Sequence, residues 1–423
     1  MRRAIVACVV VVALVAAGTA ALVLGGVFDD EYVLVEPTPT PIRARTTADH
    51  LRALQRIADR SGGIRAAGTA GDERTTDYIE RTLRAAGWSV RVDPFRFTYW
   101  EELAPARLSE MRLKRDFRAA TYSGSGRVRG RVRRVRGLGC YPRDYAGLRR
   151  GEIAVAQRGM CRFTDKARVA ARVGAGALLA DDVYGRTPVA ATLLNPGKIP
   201  VLVVTHRAAQ RLEGRTVSVS VSAKLERRET ANVIAQTRPR RDGRWVMAGA
   251  HHDSVAAGPG INDDGSGIAA LLTIAQRRRT PGLRFGFWAA EELGLFGSKR
   301  FVRSLDARAR DAIEAYVNFD MLGSPNALVK VYDRDDDLER AVRAAIPGPE
   351  REASLLDASD HAPFEDAGIP IGGIFTGASE RGRRPGPADD CYHRSCDTLR
   401  HMDVDLARRM TEAADRVLLA LAR

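Results

Sequence analysis

The stretch Gly249–Gly267, G-A-H-H-D-S-V-A-A-G-P-G-I-N-D-D-G-S-G, decides how the rest of this chain is read. Immediately upstream, R-W-V-M-A-G-A is a short apolar run of the kind that forms a buried strand. His251 and Asp253 stand two apart at its end, so in a strand they share a face while His252 points away. A Gly/Pro-rich turn follows, then Asn262, Asp263 and Asp264, then G-S-G running into an apolar helix. Imidazole and carboxylate placed at a strand end and a helix start are a set that holds a metal.

Working outward, strands alternate with helices on both sides of this stretch. A-N-V-I-A-Q-T and R-W-V-M-A-G-A read as strands, Ser266 to Arg277 as a helix, and L-R-F-G-F-W-A-A as a strand. Then come a helix from Gly297 to Val302, strands Y-V-N-F-D and A-L-V-K-V-Y, and a closing helix from Val404 to Ala422. Near the start, an amphipathic helix begins at Thr46 with Leu51, Leu54 and Ile57 on one face. A second runs from Asp72 to Ala86 and stops at Gly87, and Trp88 to Phe97 alternates as a strand. This pattern predicts an α/β fold with a mixed, mainly parallel sheet covered by helices on both faces. Ligands in such sheets gather beyond the carboxyl ends of the strands.

The 423 residues carry a formal charge of +15, with 61 arginines and six lysines. The arginines are scattered, densest between Arg127 and Arg136, with no interleaved aromatics, so no nucleic-acid partner is expected. Met1-Arg2-Arg3 precedes an apolar run from Ala4 to Phe28, which reads as an export signal or, uncleaved, a membrane anchor. The body is expected outside the cell, either secreted or held at its surface by that segment. Cys8 lies too early in the run for a lipoprotein cysteine. Asp29 to Arg45, with P-T-P-T-P, is a linker. The remaining cysteines form two local groups, Cys140 with Cys161 and Cys391 with Cys396. Of the three pairings that four cysteines allow, the local one is the simplest for an exported chain.

From about Tyr122 the character changes to short strands and turns. G-E-I-A-V-A-Q-R-G-M-C-R-F-T-D-K-A-R-V-A-A-R-V-G-A-G-A-L-L-A-D-D, with the upstream G-C-Y-P-R-D-Y and the later I-P-V-L-V-V-T, resembles the protease-associated domain, a small α/β module inserted in several secreted proteases. That resemblance implies a role in substrate access or protein contacts rather than in chemistry. His206 reads as a structural or capping residue of this part.

Carboxylates recur at the ends of the later strands. Glu291 and Glu292 follow L-R-F-G-F-W-A-A, and Asp320 follows Y-V-N-F. Near the C-terminus stands C-Y-H-R-S-C-D, with Tyr392 and His393. His251, Asp263, Glu292, Asp320 and His393 supply a ligand set for a dinuclear site, with Glu291 left over as a base. G-A-H-H-D-S, G-P-G-I-N-D-D-G-S-G, A-E-E-L-G-L-F-G-S, N-F-D-M-L-G-S-P, S-D-H-A-P-F and C-Y-H-R-S-C-D-T-L together resemble the secreted bacterial co-catalytic di-zinc aminopeptidases of metallopeptidase family 28.

The resemblance implies two zinc ions. Asp263 would bridge them, His251 and Asp320 completing one site and Glu292 and His393 the other. It implies Glu291 as general base, Asp253 orienting His251, Tyr392 donating to the oxyanion, and a cis peptide between Asp263 and Asp264. It further implies peptide substrates with a free N-terminus, an apolar first residue and a monomeric enzyme. The division expected is residues 46–120 and 227–423 for the peptidase, with 121–226 as the insert. Where some relatives carry an arginine before S-D-H, this chain has Ala358, and Asp360 and His361 read as scaffolding. Asp403 and Asp405 do not align with the calcium ligands of some relatives, so no calcium is expected. Competing readings keep the fold but change the reaction, to a carboxypeptidase or a one-zinc glutaminyl-cyclase-like acyl transferase. A receptor-like ectodomain with a dead site would have lost ligands, and none is lost here.

Overall fold

The computed structural model describes residues 44–183, 187–193, 195–332, 336–346, 348–352 and 359–423. The expected export segment, most of the linker, and Ala358 lie outside these residues. In chain order the elements are α1 (Thr47–Asp59), α2 (Ala70–Ala85), β1 (Ser89–Leu108), β2 (Phe117–Ala119), β3 (Gly126–Arg134), β4 (Ile153–Gln157), α3 (Phe163–Arg172), β5 (Ala177–Asp182), β6 (Val201–Thr205), α4 (His206–Leu212) and β7 (Thr216–Gln236). They continue with β8 (Trp245–His251), α5 (Gly265–Arg277), β9 (Leu283–Trp288), α6 (Phe296–Ser304), α7 (Ala307–Asp311), β10 (Ile313–Phe319), β11 (Lys330–Tyr332), α8 (Asp336–Ala344), β12 (Glu350–Glu352), α9 (Ala362–Asp366), β13 (Ile371–Phe375) and α10 (Val404–Leu421).

One half of the sheet runs β12-β11-β13-β10-β8-β9-β7, with β1 on the far side of β7. β8 pairs in parallel with both β9 and β10, and β10 in parallel with β13. Every residue of β8 and β9 is buried, as a central strand covered on both faces requires. On one face α1, α2, α5, α8 and α10 close the largest core, around Leu54, Leu83, Leu271, Phe285 and Val417. On the other, α6 and α9 pack Phe301 and Phe364 against Trp288 and Tyr316. Ile268, Leu271, Leu272 and Ile274 of α5 are fully buried, each worth about 1.5–3 kcal/mol relative to exposure. Gly267 lets this helix close on the sheet, since a Cβ there would meet the Phe319 carbonyl at 2.1 Å.

β1 is longer than its alternating stretch predicts, and A-N-V-I-A-Q-T is only the second half of β7. The two strands pair antiparallel from Ser89↔Gln236 to Leu108↔Val219. Once each strand supplies the other's backbone partners, the ladder continues beyond the segment whose side chains alternate. β7 therefore runs unbroken through residues 226–227 and carries the chain back from a second layered unit, ordered β7-β3-β4-β5-β6-β2. α3 and α4 cover its two faces. Within it, Arg133 pairs with Glu152, and Arg134 with Asp181 and Glu213. His206 opens α4, its Nδ1 3.0 Å from Asp181. Among the described residues no helix is long and apolar enough to cross a membrane.

Candidate metal centre

The parallel strands deliver their ends to one place. His251 is the last residue of β8, Glu291 and Glu292 follow β9, and Asp320 follows β10. Asp263 precedes α5, and His393 lies in the loop closed by the Cys391–Cys396 disulfide. Cys140 and Cys161 form the other disulfide. The Asp263 carboxylate divides its oxygens: Oδ1 is 3.1 Å from His251 Nε2 and Oδ2 is 3.2 Å from His393 Nε2. Glu292 lies 3.0 Å from His393, and Asp320 3.8 Å from His251. Two triads result, His251/Glu291/Asp320 and Asp263/Glu292/His393, each with its ligand atoms within 4.8 Å of one another. A third grouping, Asp390/Cys391/His401, has its sulfur tied up in the disulfide.

These contacts suit cations between the side chains better than hydrogen bonds. Asp263 Oδ2, Glu292 Oε1 and Asp320 Oδ1 are all buried without a hydrogen-bond partner. A buried carboxylate oxygen without a donor is costly unless a cation satisfies it. The electrostatics agree. Burial pulls both imidazoles down, yet Glu291 and Asp253 beside His251, and Glu292 and Asp263 beside His393, raise both well above their ordinary value. Burial pushes Glu291 well up, with Asp360, Glu292 and Asp320 adding to it and His251 opposing. The cluster therefore demands positive charge among its carboxylates. Its donors, imidazole and carboxylate, match zinc.

The other predicted residues fall around this cluster. Asp253 is fully buried, but its carboxylate is 3.7 Å from His251 Nδ1, whereas its own backbone carbonyl is 3.0 Å away. The carboxylate accepts instead from the Glu291 backbone N–H at 3.0 Å, tying β8 to the glutamate pair. His252 points the opposite way, to Asp72 and Thr76. Tyr392 stacks on His393 with ring centres 3.8 Å apart. Burial and the neighbouring carboxylates push its phenol well up, keeping the proton available for donation. The Asp263–Asp264 peptide is cis. Ala290, Met321 and His393, each at or beside a cluster residue, have φ of 54°, 59° and 57°. Such left-handed backbone is strained for residues with a Cβ, and strain of this kind concentrates at functional sites.

Several residues to which the sequence reading gives no positioning role hold the cluster in place. Asp264 caps α5 and accepts from the N–H groups of His251, Gly267 and Met321, so one carboxylate fixes three elements. Asp397 accepts from the N–H groups of Asn262 and Asp263. A buried chain runs from Trp288 to Tyr316, Asn318 and Ser359, whose hydroxyl donates to Asp320 at 2.7 Å. Its trace in the sequence is Tyr316, Asn318 and Asp320, alternate residues along and just beyond β10. Asp360 and His361 are buried beside the cluster, burial pushing Asp360 up to about 7. Asp403 caps α10.

Residues 232–418 match the profile of Peptidase family M28, and residues 128–212 that of the PA domain. An aminopeptidase of Pseudomonas aeruginosa is 34% identical over 87% of this chain and 78% of its own length. The chain belongs to peptidase family M28. A probable lipoprotein aminopeptidase of Mycobacterium tuberculosis is 36% identical over 86% of this chain and 82% of its own length. Among solved structures, an aminopeptidase from Aneurinibacillus sp. strain AM-1 superposes with a TM-score of 0.73 at 28% identity, covering 88% of this chain and 93% of that one. This M28 enzyme is thus a zinc metallopeptidase of the aminopeptidase type, a hydrolase carrying an inserted PA domain.

Proposed function

We propose that this M28 aminopeptidase is an exported, monomeric enzyme that removes apolar N-terminal residues from peptides at a dinuclear zinc site. The observation that carries the reading is the Asp263 carboxylate, its two oxygens turned to His251 and His393 from opposite triads. His251 and Asp320 would hold one zinc, Glu292 and His393 the other, with Asp263 shared. When bound, such a pair activates water for attack and polarises the scissile carbonyl. Glu291 takes the proton of the attacking water and passes it to the leaving amine, a shuttle helped by burial that raises its affinity for the proton. Tyr392 donates to the developing oxyanion. Asp253 positions both His251 and the Glu291 backbone.

Met321, Phe375 and Ala378, in one apolar cluster against Tyr392, support an apolar first residue. Export rests on the residues before the linker and on the lipoprotein named among the relatives. Residues 46–120 and 227–423 form the peptidase, and 121–226 the insert. The test is zinc analysis of dialysed protein beside hydrolysis of leucine anilide and its N-acetylated form. About two zincs per chain and cleavage of the free amine alone are expected. Asp263→Ala should lose both ions. A single zinc in the wild-type protein would favour the cyclase-like alternative, and cleavage of the acetylated form would rule out an aminopeptidase.

A further inference from the structure

Arg65 lies between α1 and α2, far in sequence from the motifs, yet its side chain is 0% exposed beneath the metal-binding loop. A buried guanidinium ordinarily faces a carboxylate. Among the described residues this one has no carboxylate within ion-pair distance. Nε donates to the Pro259 carbonyl at 2.9 Å and Nη2 to the Gly260 carbonyl at 2.5 Å, while Nη1 donates to the His252 carbonyl. These carbonyls bracket the loop that leads from His251 to Asp263.

The backbone of Arg65 is joined to the same loop. Its N–H donates to Ser254 Oγ at 2.9 Å, and the Ser254 N–H donates to its carbonyl. Gly260, at φ 60°, is shaped for this contact: a Cβ there would sit 3.3 Å from Nη2 and 2.3 Å from the Asp263 carbonyl. At the far end of the loop, Asp397 takes the N–H groups of Asn262 and Asp263. The loop's acceptors are therefore held from one side and its donors from the other. Asp253, Asp263, Asp264 and Asp397 all lie close enough to act on the guanidinium charge.

We infer that Arg65 is a positioning residue of the metal centre, one planar fork that fixes the span between His251 and Asp263 and places permanent positive charge behind the carboxylate cluster. The inference rests on the zinc-site reading above. Its geometry requires a fork. Lysine would keep the charge but offers a single ammonium that cannot serve the carbonyls of His252, Pro259 and Gly260 together.

The experiment compares full-length wild type, Arg65→Lys and Leu83→Ala. Leu83→Ala opens a cavity in the main core, away from the loop, and serves as a control for lost stability alone. Zinc affinity is measured by competition with a chelator, melting on the metal-stripped protein, and kcat and KM on leucine anilide at saturating zinc. Arg65→Lys should lose about 10- to 100-fold in zinc affinity, the range for partners that orient metal ligands, and lower kcat with little change in KM. Leu83→Ala should melt lower with wild-type zinc affinity. A folded Arg65→Lys that binds zinc as tightly as wild type overturns the inference.

If Arg65→Lys does not fold, Ser254→Ala decides. It removes one tie between Arg65 and the loop, so severalfold weaker zinc binding at an unchanged melting temperature supports the inference, and unchanged binding refutes it. Wild-type protein that binds no zinc would instead defeat the zinc-site reading, and this inference with it.

Discussion

Replacing Glu291 by glutamine separates its chemistry from its place in the structure. The backbone at Glu291 is held independently of its side chain, by the N–H donated to Asp253 at 3.0 Å and by the left-handed turn at Ala290. Glutamine has the same shape, so the loop and Glu292 should stay in place. What is lost is the acceptor for the proton of the attacking water. A positioned general base is worth about 10²–10⁴ in rate, which corresponds to about 2.7–5.4 kcal/mol of barrier. The variant should therefore keep wild-type zinc while kcat on leucine anilide falls by that factor.

Stability gives a second, independent readout of the same substitution. The Glu291 carboxyl is raised above its ordinary value of 4.5 chiefly by burial. A carboxyl whose pKa is higher in the folded state stabilises below the unfolded value, and that contribution is lost as pH rises through the window above it. In metal-stripped protein above pH 4.5 the buried wild-type carboxyl therefore costs stability, and glutamine, which does not titrate, avoids that cost. The variant should melt at or above wild type there, with the gap closing as pH falls toward 4.5. Near-normal turnover at full zinc occupancy would remove Glu291 from the mechanism. A parallel loss of zinc would make it a ligand, as its grouping with His251 and Asp320 allows.

Tyr392→Phe keeps the stacking on His393 but removes the oxyanion donor, so kcat should drop by about 10²–10³ with zinc content unchanged; an unchanged kcat would exclude the role. Replacing Cys391 and Cys396 together by serine removes a short cross-link, with an entropic effect of about 2–3 kcal/mol. Because the link brackets His393, zinc affinity in that variant should fall as well, and melting curves with and without added zinc would show whether it does.

What the sequence determined by itself is whatever local geometry dictates. An apolar run ending in H-x-D, a turn, and D-D-G-S-G opening a helix can be recognised because strand period and helix capping act over a few residues. The same holds for the glutamate pair after one strand, the aspartate after another and the short cysteine-bracketed loop. Tertiary structure alone decided how these pieces are held. Asp253 turned out to face the Glu291 backbone rather than chiefly the His251 ring, since that depends on how β8 and β9 lie side by side. β1 and β7 exceed their side-chain pattern because each completes the other's hydrogen bonds. Arg65 lies in no motif, and the motifs that contain Asp397 and Ser359 do not show what these residues hold; their partners are distant in sequence, and a buried guanidinium or carboxylate has meaning only beside the groups it meets. Short-range stereochemistry can be read along a chain, whereas desolvation and charge compensation depend on which distant segments the fold brings together.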